Sequence, residues 1–352
     1  MLASSQDTSS SASLAVDRAQ RHSTQPWVHL AAGASGGVAT SILTSPLDVL
    51  RTRLQSDLYP SSSLPSAARQ SANLLPRLLG TPIHHVYETF DILQSIKNTE
   101  GWRGLFRGLG PSLAGVVPAA SVKFYVYGNC KRLGARYLGC NEDDPIIHAQ
   151  AAVAAGIATA TATNPIWLVK TRLQLDKSRA DSGSTQRLYK GSLDCIRKVL
   201  RNEGIPGLYR GLSASYLGTV ETVLHLVLYE RLKMAFRRPL VDCRTTHNPA
   251  LEELANWATT SGAAGCAKLA AVFITYPHEV IRTRLRQAPK ENGSPRYTGL
   301  GQCFRLVWKH EGWRGLYGGL TPHLVRSIPS AVITLGVYEF VLRLTGTWMK
   351  SV

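Results

Sequence analysis

The chain repeats itself three times, and no other feature constrains its fold as tightly. Pro46-Leu-Asp-Val-Leu-Arg-Thr-Arg-Leu-Gln55 is echoed by Pro165-Ile-Trp-Leu-Val-Lys-Thr-Arg-Leu-Gln174 and by Pro277-His-Glu-Val-Ile-Arg-Thr-Arg-Leu-Arg286, starting 119 and 112 residues further on. A second motif follows each copy: Glu100-Gly-Trp-Arg-Gly-Leu-Phe-Arg-Gly108, Glu203-Gly-Ile-Pro-Gly-Leu-Tyr-Arg-Gly211 and Glu311-Gly-Trp-Arg-Gly-Leu-Tyr-Gly-Gly319. A third ends each copy at Tyr127-Gly128, Tyr229-Glu230 and Tyr338-Glu339. Three motifs recurring in one order define a repeat architecture, in which each unit buries its face against its neighbours. The boundaries expected are a polar tail at 1–25 and repeats at 26–138, 139–240 and 250–346. The proline-to-Glu-Gly gap is 54 residues in the first copy against 38 and 34 in the others, so 56–85 reads as an inserted loop rich in Ser, Pro and Leu.

Each copy holds two apolar spans. Trp27–Leu47 and Pro145–Val169 contain no Asp, Glu, Lys or Arg, and each is long enough to cross a hydrocarbon core of about 30 Å as a helix. The spans near Gly108–Tyr127, Gly211–Tyr229, Trp257–Tyr276 and Gly315–Tyr338 hold one or two charges each. The fold class expected is an all-α membrane protein: six transmembrane helices in three pseudo-symmetric two-helix repeats, forming a barrel around a central cavity. Between the two spans of a copy lies an amphipathic segment such as Leu193–Leu200, suited to the membrane surface. Gly33/Gly37 and Ala152/Gly156 place small residues four apart, a spacing that lets membrane helices approach closely.

Forty Lys and Arg against 23 Asp and Glu give a formal charge of +17, which calls for an anionic partner. The six cysteines form no CxxC pair, so neither a disulfide framework nor a metal site is expected. The first 25 residues lack the apolar stretch of a secretory signal. Gly33-Ala-Ser-Gly-Gly37 matches the GxSxG pattern of esterases, but its neighbours are apolar and helical where that motif needs a strand, so an enzyme is not expected.

Charges inside the spans are the candidate cargo contacts. Lys268 occupies a slot filled by Gly37 and Gly156 in the other copies, and Arg326 one filled by Gly115 and Gly218. Glu221 lies in the register of Pro118 and Pro329, and Lys123 lies one turn before Tyr127. With Leu217 and Gly218 they make the expected substrate set. Cations with one acid suit a phosphorylated anion, because Arg forks onto phosphate and Lys offers a point charge.

The threefold Pro-x-acid-x-x-base-x-base signature with its Glu-Gly partner resembles the mitochondrial carrier family over residues 27–345. The resemblance implies alternating access through the inner mitochondrial membrane, with Pro46, Pro165 and Pro277 kinking the odd helices. It also implies a matrix gate in which Asp48 pairs with Lys170 and Glu279 with Arg51, braced by Gln55 and Gln174. Acid and base at i and i+3 share one helical face, which agrees with such a ring. Trp167 stands where the third acid belongs and leaves Arg282 without its expected partner. The cytoplasmic gate would draw on Lys131, Glu230, Lys233 and Glu339, with Glu339 and Lys131 the pair able to form. The segments 165–177 and 271–287, Gly108–Pro118, Gly319–His323 and the long first loop are similar to the pyrimidine nucleotide carriers of fungal type. One departure is Ala120, where that subfamily has Arg. The expectation is therefore a monomeric exchanger of pyrimidine nucleotide anions in contact with membrane lipid, cardiolipin among them, without cofactor, metal or stable nucleic-acid partner. The alternatives are a carrier of a coenzyme such as NAD, flavin or folate, and a basic membrane-anchored nucleic-acid tether.

Overall fold

The computed structural model describes residues 26–57, 82–139, 141, 144–176, 187–242, 249–289 and 295–351. The polar tail 1–25 and most of the inserted segment 56–85 lie outside the described residues. All regular structure among the described residues is helical. Repeat one contains α1 (Pro26–Leu43), α2 (Ser45–Gln55), α3 (Pro82–Glu100), α4 (Trp102–Leu105) and α5 (Leu109–Leu138). Repeat two contains α6 (Pro145–Leu175), α7 (Ser192–Leu208) and α8 (Leu212–Asp242). Repeat three contains α9 (Pro249–Thr275), α10 (Pro277–Leu285), α11 (Leu300–Leu316) and α12 (Leu320–Ser351).

Each first-span helix carries a proline near its lower end, with two outcomes. The odd helix is split just before Pro46 and just before Pro277, and runs on through Pro165 within α6. Proline has no N–H, so it removes one rung of the helical ladder. Two residues earlier each copy carries a threonine whose hydroxyl donates to the carbonyl four residues back: Thr44 to Thr40 at 2.8 Å, Thr163 to Thr159 at 2.7 Å and Thr275 to Ala271 at 2.8 Å. Such back-bonding bends helices, and Ser or Thr commonly accompany proline at membrane depth.

Six long helical units surround one axis: α1–α2, α5, α6, α8, α9–α10 and α12. Neighbours pack in sequence order, and α12 returns to α1 to close the ring. Among the described residues α5, α6 and α12 are long and apolar enough to cross a membrane, and α7 with α8, bent by 47°, make a fourth such unit. The proline-broken helices hold shorter apolar runs, Ala31–Leu43 and Ser261–Thr275. Phe124, Tyr125, Phe273, Ile274, Leu335 and Phe340 are exposed, apolar surface that fits lipid better than water.

Beneath the ring, α7 and α11 lie against the ends of α6 and α10. Cys195 and Val199, one turn apart, bury against Leu168, Val169 and Leu173, and Cys303 and Val307 do the same against Ile281 and Leu285. Leu193 and Leu200 stay exposed on α7, the other half of the amphipathic pattern.

Candidate functional site

A layer of arginine clamps fixes the lower end of the barrel. Arg53 forks onto Glu100 at 2.6 and 2.7 Å, and its Nε donates to the carbonyl of Gln174 in the next repeat at 3.2 Å. Arg172 forks onto Glu203 and donates to the carbonyl of Arg286 at 3.2 Å. Arg284 forks onto Glu311 and donates to the carbonyl of Gln55 at 3.1 Å. Repeat one holds repeat two, two holds three, and three holds one. A glycine completes each contact. Gly108 has φ +84, and a Cβ there would lie 2.9 Å from Gln174 Cγ and 3.2 Å from the Lys170 carbonyl. Gly211 and Gly319 face Arg286 and Gln55 in the same way, also at positive φ, where L side chains are strained. Sequence reasoning missed the clamp, although its signal was present in the recurring Thr-Arg-Leu and Glu-Gly.

One turn above lies the charged ring. Lys170 Nζ stands 3.1 Å from Asp48 Oδ2, and Arg326 Nη1 stands 2.9 Å from the other oxygen of the same carboxylate. Arg326 Nε also donates to Thr44 Oγ1 at 3.2 Å. Arg51 pairs with Glu279 Oε2, and Arg282 pairs with that same oxygen. With Trp167 in the third acid's place, Arg282 folds back one turn onto its own helix, and Glu279 serves two guanidinium groups. Trp167 anchors its indole N–H on Thr163 Oγ1 at 2.9 Å, with Lys170 5.2 Å from its ring centre. Gly115 packs closely on the same helix, where a Cβ would lie 3.1 Å from Ile166 Cγ2.

The residues below the ring differ by copy. Gln55 donates to Tyr276 Oη at 3.1 Å and accepts from Thr283 at 2.7 Å, while Gln174 accepts from Thr52 at 2.8 Å. The third copy has Arg286, which donates across to Asn164 Oδ1 at 2.8 Å and Ser215 Oγ at 2.9 Å. Its place in the repeat, opposite two glutamines, was the signal that could have singled it out.

In the cavity, Lys268 Nζ lies 2.6 Å from Glu221 Oε1. Both candidate cargo cations already hold a carboxylate, Lys268 that of Glu221 and Arg326 that of Asp48. The Lys268 side chain is 53% exposed, so its carboxylate partner can be exchanged for another anion. Glu221, His278 and Glu279 bring their ligand atoms within 4.8 Å of one another. Arg51, Arg282 and Lys268 already occupy the two acids, so this cluster is electrostatically unsuited to a divalent cation. Gly218 faces His278 Nε2, Leu217 is partly exposed, and Lys123 is exposed on α5. At the other end of the barrel Glu230 and Glu339 are exposed, Lys131 and Lys233 are half-buried, and Lys233 lies 5.5 Å from the Tyr229 ring centre. The ring carboxylates of Asp48 and Glu279, by contrast, are only 10% and 13% exposed.

A model of the mitochondrial carrier protein family matches residues 22–137, 141–240 and 254–347. The chain belongs to the mitochondrial carrier family, multi-pass proteins of the mitochondrial inner membrane. It is 46% identical over 330 residues to the mitochondrial pyrimidine nucleotide transporter RIM2 of Saccharomyces cerevisiae, covering 91% of this chain and 86% of that one. It is 47% identical over 326 residues to the mitochondrial carrier protein rim2 of Schizosaccharomyces pombe, covering 91% and 90%. Solute carrier family 25 member 36 of Mus musculus is 42% identical over 327 residues, covering 90% and 97%.

Proposed function

We propose that this carrier exchanges pyrimidine nucleotides between cytosol and matrix. The observation that carries the reading is the pair of cations, Lys268 and Arg326, standing at the floor of the cavity in slots that are glycine in the other repeats. The relative named a pyrimidine nucleotide transporter supports the base preference. A phosphate group competes with Glu221 for Lys268 and with Asp48 for Arg326. Charge-assisted bonds to phosphate are strong enough for that exchange.

In this reading the ring of Asp48–Lys170 and Glu279–Arg51 is the matrix gate, with Gln55, Gln174 and Arg286 bracing it. Lys131, Glu230, Lys233 and Glu339 form the cytoplasmic rim, which closes when the floor opens. Residues 26–138, 139–240 and 250–346 are the three moving units. Since Arg326 shares Asp48 with Lys170, cargo that draws Arg326 away acts on the gate itself. The protein works as a monomer and needs no cofactor. Membrane lipid binds where Arg103, Arg107, Arg187 and Lys190 surround a cleft of about 530 Å³ at the start of α5. A cationic cleft at a helix N-terminus suits an anionic head group.

The test is uptake into proteoliposomes preloaded with nucleotide. UTP or TTP should exchange better than ATP; equal or greater uptake of NAD or flavin would transfer the assignment to a coenzyme carrier. Lys268→Ala and Arg326→Ala should each lower exchange by tenfold or more, while Lys268→Arg should keep part of it. Normal exchange by both alanine variants would remove them from the site.

A further inference from the structure

The cavity wall contains a second feature that the charged floor does not use. A pocket of about 450 Å³ is lined by Tyr127 of α5, His148 and Ala152 of α6, His225 and Tyr229 of α8, and Ala264 of α9. Four consecutive helices of a ring can share one pocket only on its inner side, so it opens off the transport path. Ala264 and Lys268 are four residues apart, which places the pocket one helical turn, ~6 Å, above the Lys268–Glu221 pair. Its size falls within the roughly 300–1,000 Å³ of small-ligand sites, which combine apolar walls with a few placed polar groups.

Here the polar groups are aromatic and imidazole rings. Tyr127 and His148 lie with ring centroids 6.3 Å apart and planes 27° from parallel, joined by a bond of 2.6 Å between Tyr127 Oη and His148 Nδ1. His225 Nε2 is buried and has no hydrogen-bond partner among the described residues. That nitrogen is thus available to a ligand in the pocket. Ala152 and Ala264 supply the room.

We infer that this pocket is the nucleoside subsite: the base stacks on the rings of Tyr127, His148 and Tyr229 and hydrogen-bonds to His225, while its phosphates reach down to Lys268 and Arg326. The inference rests on the nucleotide-exchange reading and deepens it. Charge complementarity sets the direction, with an uncharged ring-lined pocket toward the mouth and cations at the floor. Base-on-aromatic stacking is tolerant of base identity, so affinity comes from the rings and discrimination from His225.

The experiment separates the base from the phosphates. Uptake of labelled UTP by the reconstituted full chain is inhibited with unlabelled UTP and with inorganic tripolyphosphate. In His225→Ala and Ala264→Leu, the second of which fills the pocket, UTP should lose its advantage over tripolyphosphate by about tenfold or more. Lys268→Ala should weaken both inhibitors together. His225→Gln should recover part of the UTP advantage, and melting curves confirm that each variant is folded. Tyr229→Leu removes one ring without adding bulk and replaces Ala264→Leu if that variant does not fold. Parallel loss of both inhibitors in the pocket variants, or no change in either, would overturn the subsite. A wild-type protein that exchanges no nucleotide would sink the broader reading, a different result from wild-type exchange with unaffected pocket variants.

Discussion

Two seams of the barrel are built alike at one level and differently at the next. Between repeats one and two, Arg53 donates to Gln174 O and Gly108 packs on Gln174; between two and three, Arg172 donates to Arg286 O and Gly211 packs on Arg286. One turn higher the likeness ends. The first seam is tied by the ion pair Asp48–Lys170. The second has an indole in the acid's place, Arg282 turned back onto its own helix, and Arg286 reaching only neutral oxygens of Asn164 and Ser215. The lower layer, with one arginine clamp at every seam, therefore belongs to the fold. The upper layer has to come apart during transport, so its strength can differ from seam to seam.

The comparison breaks first if a clamp proves dispensable. Arg53→Ala strips the buried Glu100 of its bidentate partner, a loss of roughly 3–5 kcal/mol, whereas Arg172→Ala leaves Glu203 its second pair with Arg210 and Arg284→Ala leaves Glu311 open to water, so both should lose less. Thermal unfolding in detergent should show a drop in all three, largest for Arg53→Ala. A clamp whose removal leaves the melting temperature unchanged would contradict the cyclic arrangement. Next comes the odd seam itself. Trp167→Asp should offer Arg282 a carboxylate across the seam, lend the closed floor up to about 1 kcal/mol as a partly exposed pair, and slow exchange. Faster exchange with unchanged stability would mean that the indole, and not the missing acid, governs that seam. The smallest effect concerns thiols under the clamps. Burial pushes Cys195 up to about 11 and Cys303 up to about 12, and only the thiolate attacks a maleimide. At pH 7 to 8 both should stay unlabelled until the protein is unfolded. Labelling of one alone would show that the layer beneath the seams is not equivalent.

Much of the architecture was legible because it is written three times. The prolines, the Glu-Gly motif and the alternation of apolar spans with basic segments define the repeats, and Asp48–Lys170 and Glu279–Arg51 follow from acid and base sharing a helical face. What stayed hidden depends on rotamers. Arg282 can swing to Glu279 because a guanidinium three residues along reaches its own helix neighbour, and no spacing rule tells it from a cross-seam partner. The carboxylate partners of Lys268 and Arg326 were not legible, because Glu221 and Asp48 lie on other helices. The clamp went unread for another reason: Arg53 and Glu100 are separated by the long first loop, so their pairing is a fact of packing. Departures within the repeat were equally informative. Gly318 replaces the arginine found at Arg107 and Arg210, because a Cβ there would lie 2.8 Å from the Leu54 carbonyl, and Arg296 supplies a cation to Asp57 instead.

The most direct test of the account is a charge-reversal cycle on the intact seam, with exchange measured in proteoliposomes. Asp48→Lys should lower UTP exchange at least tenfold, because it removes the carboxylate held by both Lys170 and Arg326. Lys170→Asp should do less harm, since Arg326 remains to hold Asp48. The double variant, Asp48→Lys with Lys170→Asp, should recover part of the lost rate relative to Asp48→Lys alone, with Arg326 left without its former partner. An effect that is large and partly reversible marks a working gate, since an ordinary exposed ion pair is worth only about 0–1 kcal/mol. Normal exchange by Asp48→Lys, or a double variant no better than that single one, would contradict it.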